Sequence, residues 1–335
     1  MAKKFERPSD EFINLLRRTA SSDANERNAA QYQLAKAIEL PLRQGVLSGD
    51  ILQGLFQVIS LEPGTPMEYQ LDLLSPGSEN DFLGYTSTGL GKIPHRFLES
   101  DFVQIGTYDI ASSIDFALKL ARAANYSVVG RAMEILEAGM TIKMNGDGFH
   151  TIMAAGVDRN ILVYDADANA GQFTKRLISL GKTVMRRNGG GNTGSIRKYQ
   201  MTDVLISPEG VEDCRSWSVD QVDEITRREI YMAGDGDSIL TRVFGVNLHD
   251  LTELGEGQEF QNFFTNQLGG SLQASDVELA IGLDGTKNNF IMPVGQEVEV
   301  FADPTTHRSN YESYYCRANL GFAAMDGRDV IILSY

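Results

Sequence analysis

Residues 107–153 read TYDIASSIDFALKLARAANYSVVGRAMEILEAGMTIKMNGDGFHTIM, and this stretch decides the fold. Its apolar residues recur at steps of three, four and seven, which places them on one face of an amphipathic helix: Ile114, Leu118, Ala121, Val128, Ala132, Ile135 and Leu136. Ser112, Ser113 and Asp115 are typical helix start signals. The pattern predicts one helix over residues 110–140, followed by a glycine turn. Roughly thirty residues at about 1.5 Å each span ~45 Å, which indicates a strut.

The composition limits the classes of protein to which the chain can belong. Its 335 residues exceed what one hydrophobic core usually holds, so we expect two packed lobes with extensions. The net charge of −15 argues against tight nucleic-acid binding, which needs a basic face. No apolar run reaches the length of a membrane span, and the first residues lack the apolar segment of a secretory signal. We expect Cys214 and Cys316 to be free thiols.

The N-terminal part is predicted to be helical. Residues 9–20 and 24–40 have helical apolar spacing, and Pro41 is expected to end the second helix. A third apolar piece covers residues 51–59. These segments carry too little apolar mass for a lobe of their own, so we expect them to pack on the rest of the chain or on a neighbouring molecule.

The stretch from residue 61 to residue 106 is rich in proline and glycine, with short β-like runs such as MEYQLDLL and FVQIGTY between them. This composition, with its short β-like runs, predicts an extended, hairpin-like excursion with little hydrophobic core. So long a loop in a compact domain indicates contacts with another molecule.

An α/β lobe is predicted to follow. The run NILVYDAD (160–167) is strand-like, GQFTKRLISLGKTVMRR (171–187) is helical, and MTDVLIS (201–207) is a strand before a helix that begins at Pro208. Six β-like runs then extend to the end of the chain. Asp326-Gly327-Arg328, between the last two runs, is a hairpin signal.

The sequence contains only incomplete matches to motifs for catalysis, phosphate binding or metal binding. The loop Gly189–Ser195 (GGGNTGS) lacks the Gly-Lys-Ser/Thr ending of a phosphate-binding loop. Asp165, Asp167 and Asn169 have the spacing of a calcium loop, but Arg176 stands where the bidentate glutamate belongs. The four histidines are too widely spaced for a metal signature, and we interpret Trp217 as a packing anchor. A soluble α/β enzyme that uses the glycine loop and the Asp165/Asp167 cluster stays an alternative.

Three blocks of sequence together resemble the major capsid proteins of tailed bacteriophages. They cover residues 71–152, residues 202–231 (TDVLISPEGVEDCRSWSVDQVDEITRREIY) and residues 298–333 (VEVFADPTTHRSNYESYYCRANLGFAAMDGRDVIIL). The resemblance implies an α+β chain with the Hong Kong 97-type capsid fold. It also implies an N-arm over 1–60, an E-loop over 61–108, the spine helix of a peripheral (P) domain over 109–150, an α/β axial (A) domain over 151–295 and return strands over 296–335.

The same resemblance implies a structural protein without catalytic residues, metal or cofactor, whose important residues lie at subunit interfaces. The candidates are Phe12, Leu16, Tyr32, Phe82, Tyr85, Lys92, Arg96, Phe97, Arg131, Glu134, Gly189, Gly190, Gly191 and Arg308. Gly130 and Gly139 are expected to let the spine helix bend. Lys92 is the one lysine in the excursion, but no motif indicates the intersubunit crosslink that some relatives form.

The implied partners are further copies of the chain, in hexamers and pentamers that form an icosahedral shell around double-stranded DNA contacted only weakly. A portal protein and a separate scaffolding protein are expected, and a decoration protein is a further candidate partner. Assembly is expected in the host cytoplasm, with location in the virion and no membrane. The alternative with the same fold is an encapsulin-like nanocompartment that holds enzymes.

Overall fold

The computed structural model describes residues 10–48, 54–62, 68–70, 102–122, 126–158, 162–167, 171–188, 199–217, 239–268, 278–286, 288–303 and 305–335. Its first sheet has the strand order β1-β10-β11-β4, where β1 is Gln57–Ser60, β10 is Phe290–Asp303, β11 is Tyr311–Leu320 and β4 is Tyr108–Ala117. The strand β1 pairs with β10 in parallel, and β10, β11 and β4 are antiparallel to one another. The short strand β12 (Ala323–Ala324) also pairs with β10.

The prediction of one helix over residues 110–140 was wrong for its first part. Residues 108–117 form β4, which pairs with β11 over ten residues from Tyr108↔Leu320 to Tyr311↔Ala117. Ile110 and Phe116 face the core, while Ala111, Ser113 and Asp115 are exposed. This alternation of two suits a strand, and the spacing of Ile110, Ile114 and Leu118 fits a helix equally well. The long partner strand β11 decides between the two.

The spine helix begins later and ends later than predicted. A short helix α3 (Leu118–Arg122) precedes α4, which runs over Tyr126–Asp158. The helix passes through Gly146 and Gly148, where a glycine turn was expected, because Phe149, Ile152 and Met153 continue its buried face. Its 33 residues correspond to about 50 Å. The prediction of one long helix is therefore confirmed, but the helix begins and ends at later residues than predicted.

The N-terminal helices pack on their own chain. The helices α1 (Asp10–Thr19) and α2 (Ala24–Ser48) place Leu16, Leu34 and Ile38 in the same core as α4 and the first sheet. The predicted end of the second helix at Pro41 was wrong. Leu42, directly after the proline, is buried in that core. Packing therefore keeps the chain helical at Pro41, where the backbone cannot donate a hydrogen bond.

A second sheet forms the α/β lobe, with the strand order β5-β13-β9-β6-β8-β7. The strands are β5 (Leu162–Tyr164), β6 (Asp203–Ile206), β7 (Ile239–Val243), β8 (Val246–Asp250), β9 (Leu279–Leu283) and β13 (Val330–Ser334). Both faces are buried. Leu205, Ile281 and Ile332 face the core shared with the first sheet, and Ile206 and Leu333 face a separate core with α5 (Lys175–Asn188) and α6 (Pro208–Ser216). The helix α7 (Glu259–Asn266) adds Phe260 and Phe264 to the shared core.

Several predictions for this lobe are confirmed. The helix α6 begins at Pro208, and the Ser207 hydroxyl accepts a hydrogen bond from the backbone N–H of Gly210 at 3.1 Å. Trp217 is a packing anchor: its ring stacks on Phe173 and its indole N–H donates to the Phe173 carbonyl at 3.2 Å. Cys214 in α6 is a buried free thiol, and so is Cys316 in β11 of the first sheet.

The hairpin predicted at Asp326-Gly327-Arg328 was wrong. Residues 327–329 form a 3-10 turn, and β12 before it belongs to the first sheet while β13 after it belongs to the second. The turn is therefore a crossing between the two sheets. The Asp326 carboxylate caps it by accepting the backbone N–H of Arg328 at 3.0 Å.

The base of the predicted excursion is an antiparallel pair. The strands β2 (Glu68–Gln70) and β3 (Phe102–Gln104) pair from Glu68↔Gln104 to Gln70↔Phe102. Residues 71–101 lie outside the described part of the chain. Within the described part, no helix is long and apolar enough to cross a membrane.

Candidate subunit-contact surfaces

The acidic cluster predicted as a possible cation site is occupied by side chains of the protein itself. Arg176 forms ion pairs with both Asp165 and Asp167, and the Thr174 hydroxyl donates to Asp165 at 2.8 Å. The described residues hold no group of three or more His, Cys, Asp or Glu side chains placed to bind a metal ion. Asn169 and the loop Gly189–Ser195 lie outside the described residues. The cluster is thus a structural ion pair.

One pocket of about 240 Å³ lies where the segment before β1 meets the second sheet, and Asp203 and His249 line it. His249 Nε2 lies 2.9 Å from Asp203 Oδ1, which also accepts from Asn247 at 3.0 Å, and Thr202 donates to the other oxygen at 2.6 Å. Burial opposes ionisation of Asp203, but these hydrogen bonds outweigh it and lower its pKa to about 2. A carboxylate so well bonded fixes local structure and has little basicity left for proton transfer.

Of the other three histidines, His150 is the one whose side chain the structure describes, and it packs against aromatic rings. His150 stacks on Phe263 with ring centroids 3.9 Å apart, and burial lowers its pKa. His307 lies in the 3-10 turn Thr306–Ser309, and its side chain is outside the described part, as is the whole of His95.

The outward face of α4 is the first surface that suits contact with another molecule. Ile142 is 67% exposed and Ile135 is 49% exposed, two turns apart on one side of the helix. Ala138 lies between them and is exposed too. Arg131 and Glu134, both predicted interface residues, flank this stripe as an exposed ion pair of 2.9 Å. Such a surface offers apolar contacts with a charged margin, as protein interfaces do.

A second surface is a groove of about 310 Å³ between α2 and the outer face of the first sheet. Phe301 and Tyr315 stack across β10 and β11 with centroids 5.3 Å apart, and both are exposed. Tyr32, a predicted interface residue, lines the same groove and is 66% exposed. Three exposed aromatic side chains in one groove are typical of a contact surface, because aromatic residues are enriched at interfaces.

The remaining interface candidates divide into three groups. Leu16 was a wrong choice, because its side chain is fully buried in the core of its own chain. Phe12 is half-buried against that core, and Arg308 lies in the turn Thr306–Ser309 with its side chain undescribed. Outside the described residues are Phe82, Tyr85, Lys92, Arg96, Phe97, Gly189, Gly190 and Gly191.

Sequence reasoning missed Ile135, Ile142, Phe301 and Tyr315 as surface residues. Ile135 was assigned to the buried face, yet the helix turns Leu136 inward and Ile135 outward. A signal existed in the strands: Phe301 and Tyr315 alternate with buried Val300 and Tyr314, so they occupy the outward positions of a one-sided sheet. The pairing that brings them together was not visible in the sequence.

Comparison with known proteins identifies the architecture. No protein-family model and no curated protein sequence matches the chain. A structure from Mycobacterium phage Ogopogo has a TM-score of 0.54 at 8% identity, over 85% of this chain and 91% of that one. The head structure of Helicobacter pylori bacteriophage KHP40 has a TM-score of 0.51 at 10% identity, over 85% and 90%. A structure from Mycobacterium phage Bobi has a TM-score of 0.51 at 13% identity, over 87% and 89%.

The chain has a Hong Kong 97-type capsid fold. The α+β class and the fold implied by the three sequence blocks are confirmed. In this capsid fold α4 is the long helix, the first sheet with α1 and α2 packs against it, and the second sheet with α5, α6 and α7 forms the α/β lobe. The domain boundaries at residues 60, 108, 150 and 295 stay a prediction.

Proposed function

We propose that this chain is the major capsid protein of a tailed bacteriophage. In this account it assembles into hexamers and pentamers, which form an icosahedral shell around double-stranded DNA. The observation that carries the proposal is the capsid fold, which extends over more than four-fifths of this chain and of the phage structures it resembles. The protein is then structural, and its working residues are those that contact neighbouring copies.

The mechanism is association through many contacts, each weak on its own. Specific interfaces bury about 800 Å² per partner, and permanent ones bury more. The stripe on α4 and the aromatic groove each supply apolar area with a polar margin, and the base of the excursion at β2 and β3 leads from the subunit into residues 71–101. Apolar area at these surfaces stabilises the assembled shell, whereas Arg131 and Glu134 contribute mainly to orientation.

The charge of the chain supports weak contact with the packaged DNA. A net charge of −15 repels the phosphate backbone, so a shell of such subunits confines DNA without holding it. We propose that the mature shell also contains a portal protein, that a separate scaffolding protein guides assembly in the host cytoplasm, and that the protein resides in the virion.

Expression of the full chain, with electron microscopy and analytical ultracentrifugation, tests this proposal. We expect closed shells, alone or with a separate scaffolding protein. Ile142→Asp should reduce assembly at least tenfold at equal protein concentration, because it buries a charge in an apolar contact. The control Ile142→Val keeps the surface apolar and should assemble normally. A well-folded monomer under every assembly condition would contradict the proposal, and shells loaded with an enzyme would favour the nanocompartment.

A further inference from the structure

The two sheets of the subunit are joined where two segments of chain lie side by side. One is residues 284–289, which lead from β9 to β10, and the other is residues 325–329, which lead from β12 to β13. Asp284 N–H donates to the Asp329 carbonyl at 3.0 Å, and Met325 N–H donates to the Asn289 carbonyl at 2.8 Å. We call these two bonded segments the junction. Both segments connect a strand of one sheet to a strand of the other, so the junction links the two sheets directly.

Two of the three carboxyl groups of the junction have strong partners. Asp284 accepts from the backbone N–H groups of Gln200 at 2.8 Å and Thr286 at 3.0 Å, and from the Thr286 hydroxyl at 2.6 Å. Asp326 accepts from the Tyr199 hydroxyl at 2.6 Å and from Arg328 Nε at 2.7 Å. Burial opposes ionisation of Asp326, but its hydrogen bonds outweigh burial and lower its pKa.

Asp329 is the exception in the junction. It is fully buried, and neither of its carboxyl oxygens makes a hydrogen bond of good geometry. Asn289 approaches it and favours the charged form, but Asp326 and Asp284 add negative charge beside it. The Arg328 guanidinium pairs with Asp326 and lies over the Tyr199 ring.

The surroundings of Asp329 therefore favour its neutral form. The charged groups that act on it most strongly belong to the junction, not to α4 or α5, which pack on the same turn. Burial, followed by the charge of Asp326, outweighs Asn289 and raises the pKa of Asp329 to about 8.

We propose that Asp329 is a proton-dependent lock at the junction. As the neutral acid it lets the two segments pack closely. When it ionises, a buried charge without a partner has to reach water, and the way to achieve this is to separate the two segments. The two sheets then become free to change their orientation relative to each other. The inference concerns the subunit itself and does not depend on the proposed function.

The sign of the effect follows from linkage. The pKa of Asp329 is raised in the folded chain, so its protonation favours the closed junction, and this contribution is lost as pH rises toward about 8. One proton changes the ratio of closed to open junctions by at most tenfold per pH unit.

Hydrogen exchange of the full-length protein between pH 6 and pH 9, corrected for the intrinsic rate, tests the lock. In the wild type, protection of peptides covering residues 279–286 and 325–333 should fall by up to tenfold per pH unit until about pH 8 and level off above it. Asp329→Asn has the same shape and cannot ionise, so its protection should stay constant. The control Asp284→Asn weakens the junction at every pH but keeps Asp329, so its protection should still fall as pH rises. Equal slopes in the wild type and Asp329→Asn would overturn the proposal.

A second measurement uses the wild type alone, in case Asp329→Asn does not fold. Infrared or carbon-13 detection of side-chain carboxyl groups at pH 6.5 should show a protonated carboxylic acid that ionises near pH 8. A spectrum with every carboxyl group ionised at pH 6.5 would also overturn the proposal.

Discussion

The hydroxyl oxygens of Ser207 and Tyr335 lie 2.8 Å apart inside the α/β lobe. Ser207 also donates to the Glu278 carboxylate at 2.5 Å, and the backbone of Tyr335 pairs with the backbone of Glu278. Ser207 caps α6, Glu278 precedes β9 and Tyr335 follows β13, so one buried hydrogen-bond cluster joins three elements. Burial raises the pKa of Glu278, which makes its donors important for stability.

Replacing Ser207 removes both the helix cap and the donor to Glu278. We expect Ser207→Ala to lower the free energy of unfolding by about 2–3 kcal/mol. Tyr335→Phe, which removes a single hydroxyl, should cost about 1 kcal/mol. The control Ser216→Ala, at the exposed end of α6, should change little. Denaturant unfolding measures all three, and a Ser207→Ala variant as stable as the control would contradict this account of the cluster.

Two glycines with different surroundings should respond in opposite directions to alanine. A Cβ at Gly210 would lie 2.6 Å from the Tyr335 hydroxyl and 2.7 Å from Ile206, so Gly210→Ala should destabilise the protein by about 1–3 kcal/mol. A Cβ at Gly146 in α4 would meet nothing within 4 Å. Gly146→Ala should therefore stabilise the subunit by about 0.5–1 kcal/mol. Thermal unfolding distinguishes the two, and a shift of the same sign in both would contradict the packing described.

The buried carboxyl group of Glu312 links the N-terminal helices to the first sheet. The Thr19 hydroxyl lies 3.2 Å from one Glu312 oxygen and 2.8 Å from the Leu16 carbonyl, and the Tyr314 hydroxyl donates to the other Glu312 oxygen at 2.6 Å. Thr19→Val keeps the shape and removes one donor to this buried carboxyl group, at an expected cost of about 1–3 kcal/mol. Limited proteolysis should then cut first near α1. If α1 belonged to a neighbouring subunit instead, the variant would leave the isolated subunit unchanged.

The pocket at Asp203 predicts a defined acid sensitivity. The pKa of Asp203 falls from its ordinary value to about 2 in the folded chain. Its hydrogen bonds therefore contribute about 2 kcal/mol of stability above pH 4, and this contribution is lost as pH falls toward 2. Asp203→Asn should be less stable than the wild type at pH 7 and equally stable near pH 2. A difference that stays constant over this range would contradict the assignment.

Local pattern was enough to predict much of this fold. The cap and proline at Ser207 and Pro208 located α6, and the β-like runs after residue 278 located β9, β10, β11 and β13. Where local signals agreed with each other, the expected element formed.

The errors came from partners far away in the sequence. Residues 108–117 satisfy helical and strand spacing alike, and β11, some two hundred residues later, decides the outcome. The turn at Asp326 has the composition of a hairpin, but the strands on either side find partners in different sheets. Leu16 was assigned to an interface because the packing of α1 on its own chain cannot be deduced from a single amphipathic helix. Contact surfaces such as the Phe301–Tyr315 stack depend on pairing in the same way.

Gly139 has a different role from the one first expected. A Cβ there would lie 3.1 Å from the Ser112 hydroxyl, so this glycine lets α4 approach β4 closely. A Cβ at Gly130 would meet nothing within 4 Å, which leaves Gly130 as the position where the long helix is expected to bend. Gly130→Ala should stiffen the helix without disturbing its packing, and an assembly defect with normal subunit stability would support a role in curvature.

The excursion can be removed without disturbing its base. Gln70 and Phe102 face each other across β2 and β3, so an Asn-Gly turn can replace residues 71–101 and close the hairpin. If the excursion is an intersubunit arm, as the proposed function requires, the shortened subunit should fold with wild-type circular dichroism and stability but form no shells. Unimpaired assembly of this variant would show that the excursion is not an intersubunit arm.

The central claim is that this chain builds an icosahedral shell. Cryo-electron microscopy of particles assembled from the purified chain tests it most directly. We predict closed shells whose pentamers and hexamers are made of subunits with α4, the two sheets and the aromatic groove as described, and with Ile142 covered by a neighbouring copy. Monomers alone, or open aggregates without icosahedral symmetry under every condition that supports assembly, would contradict the claim.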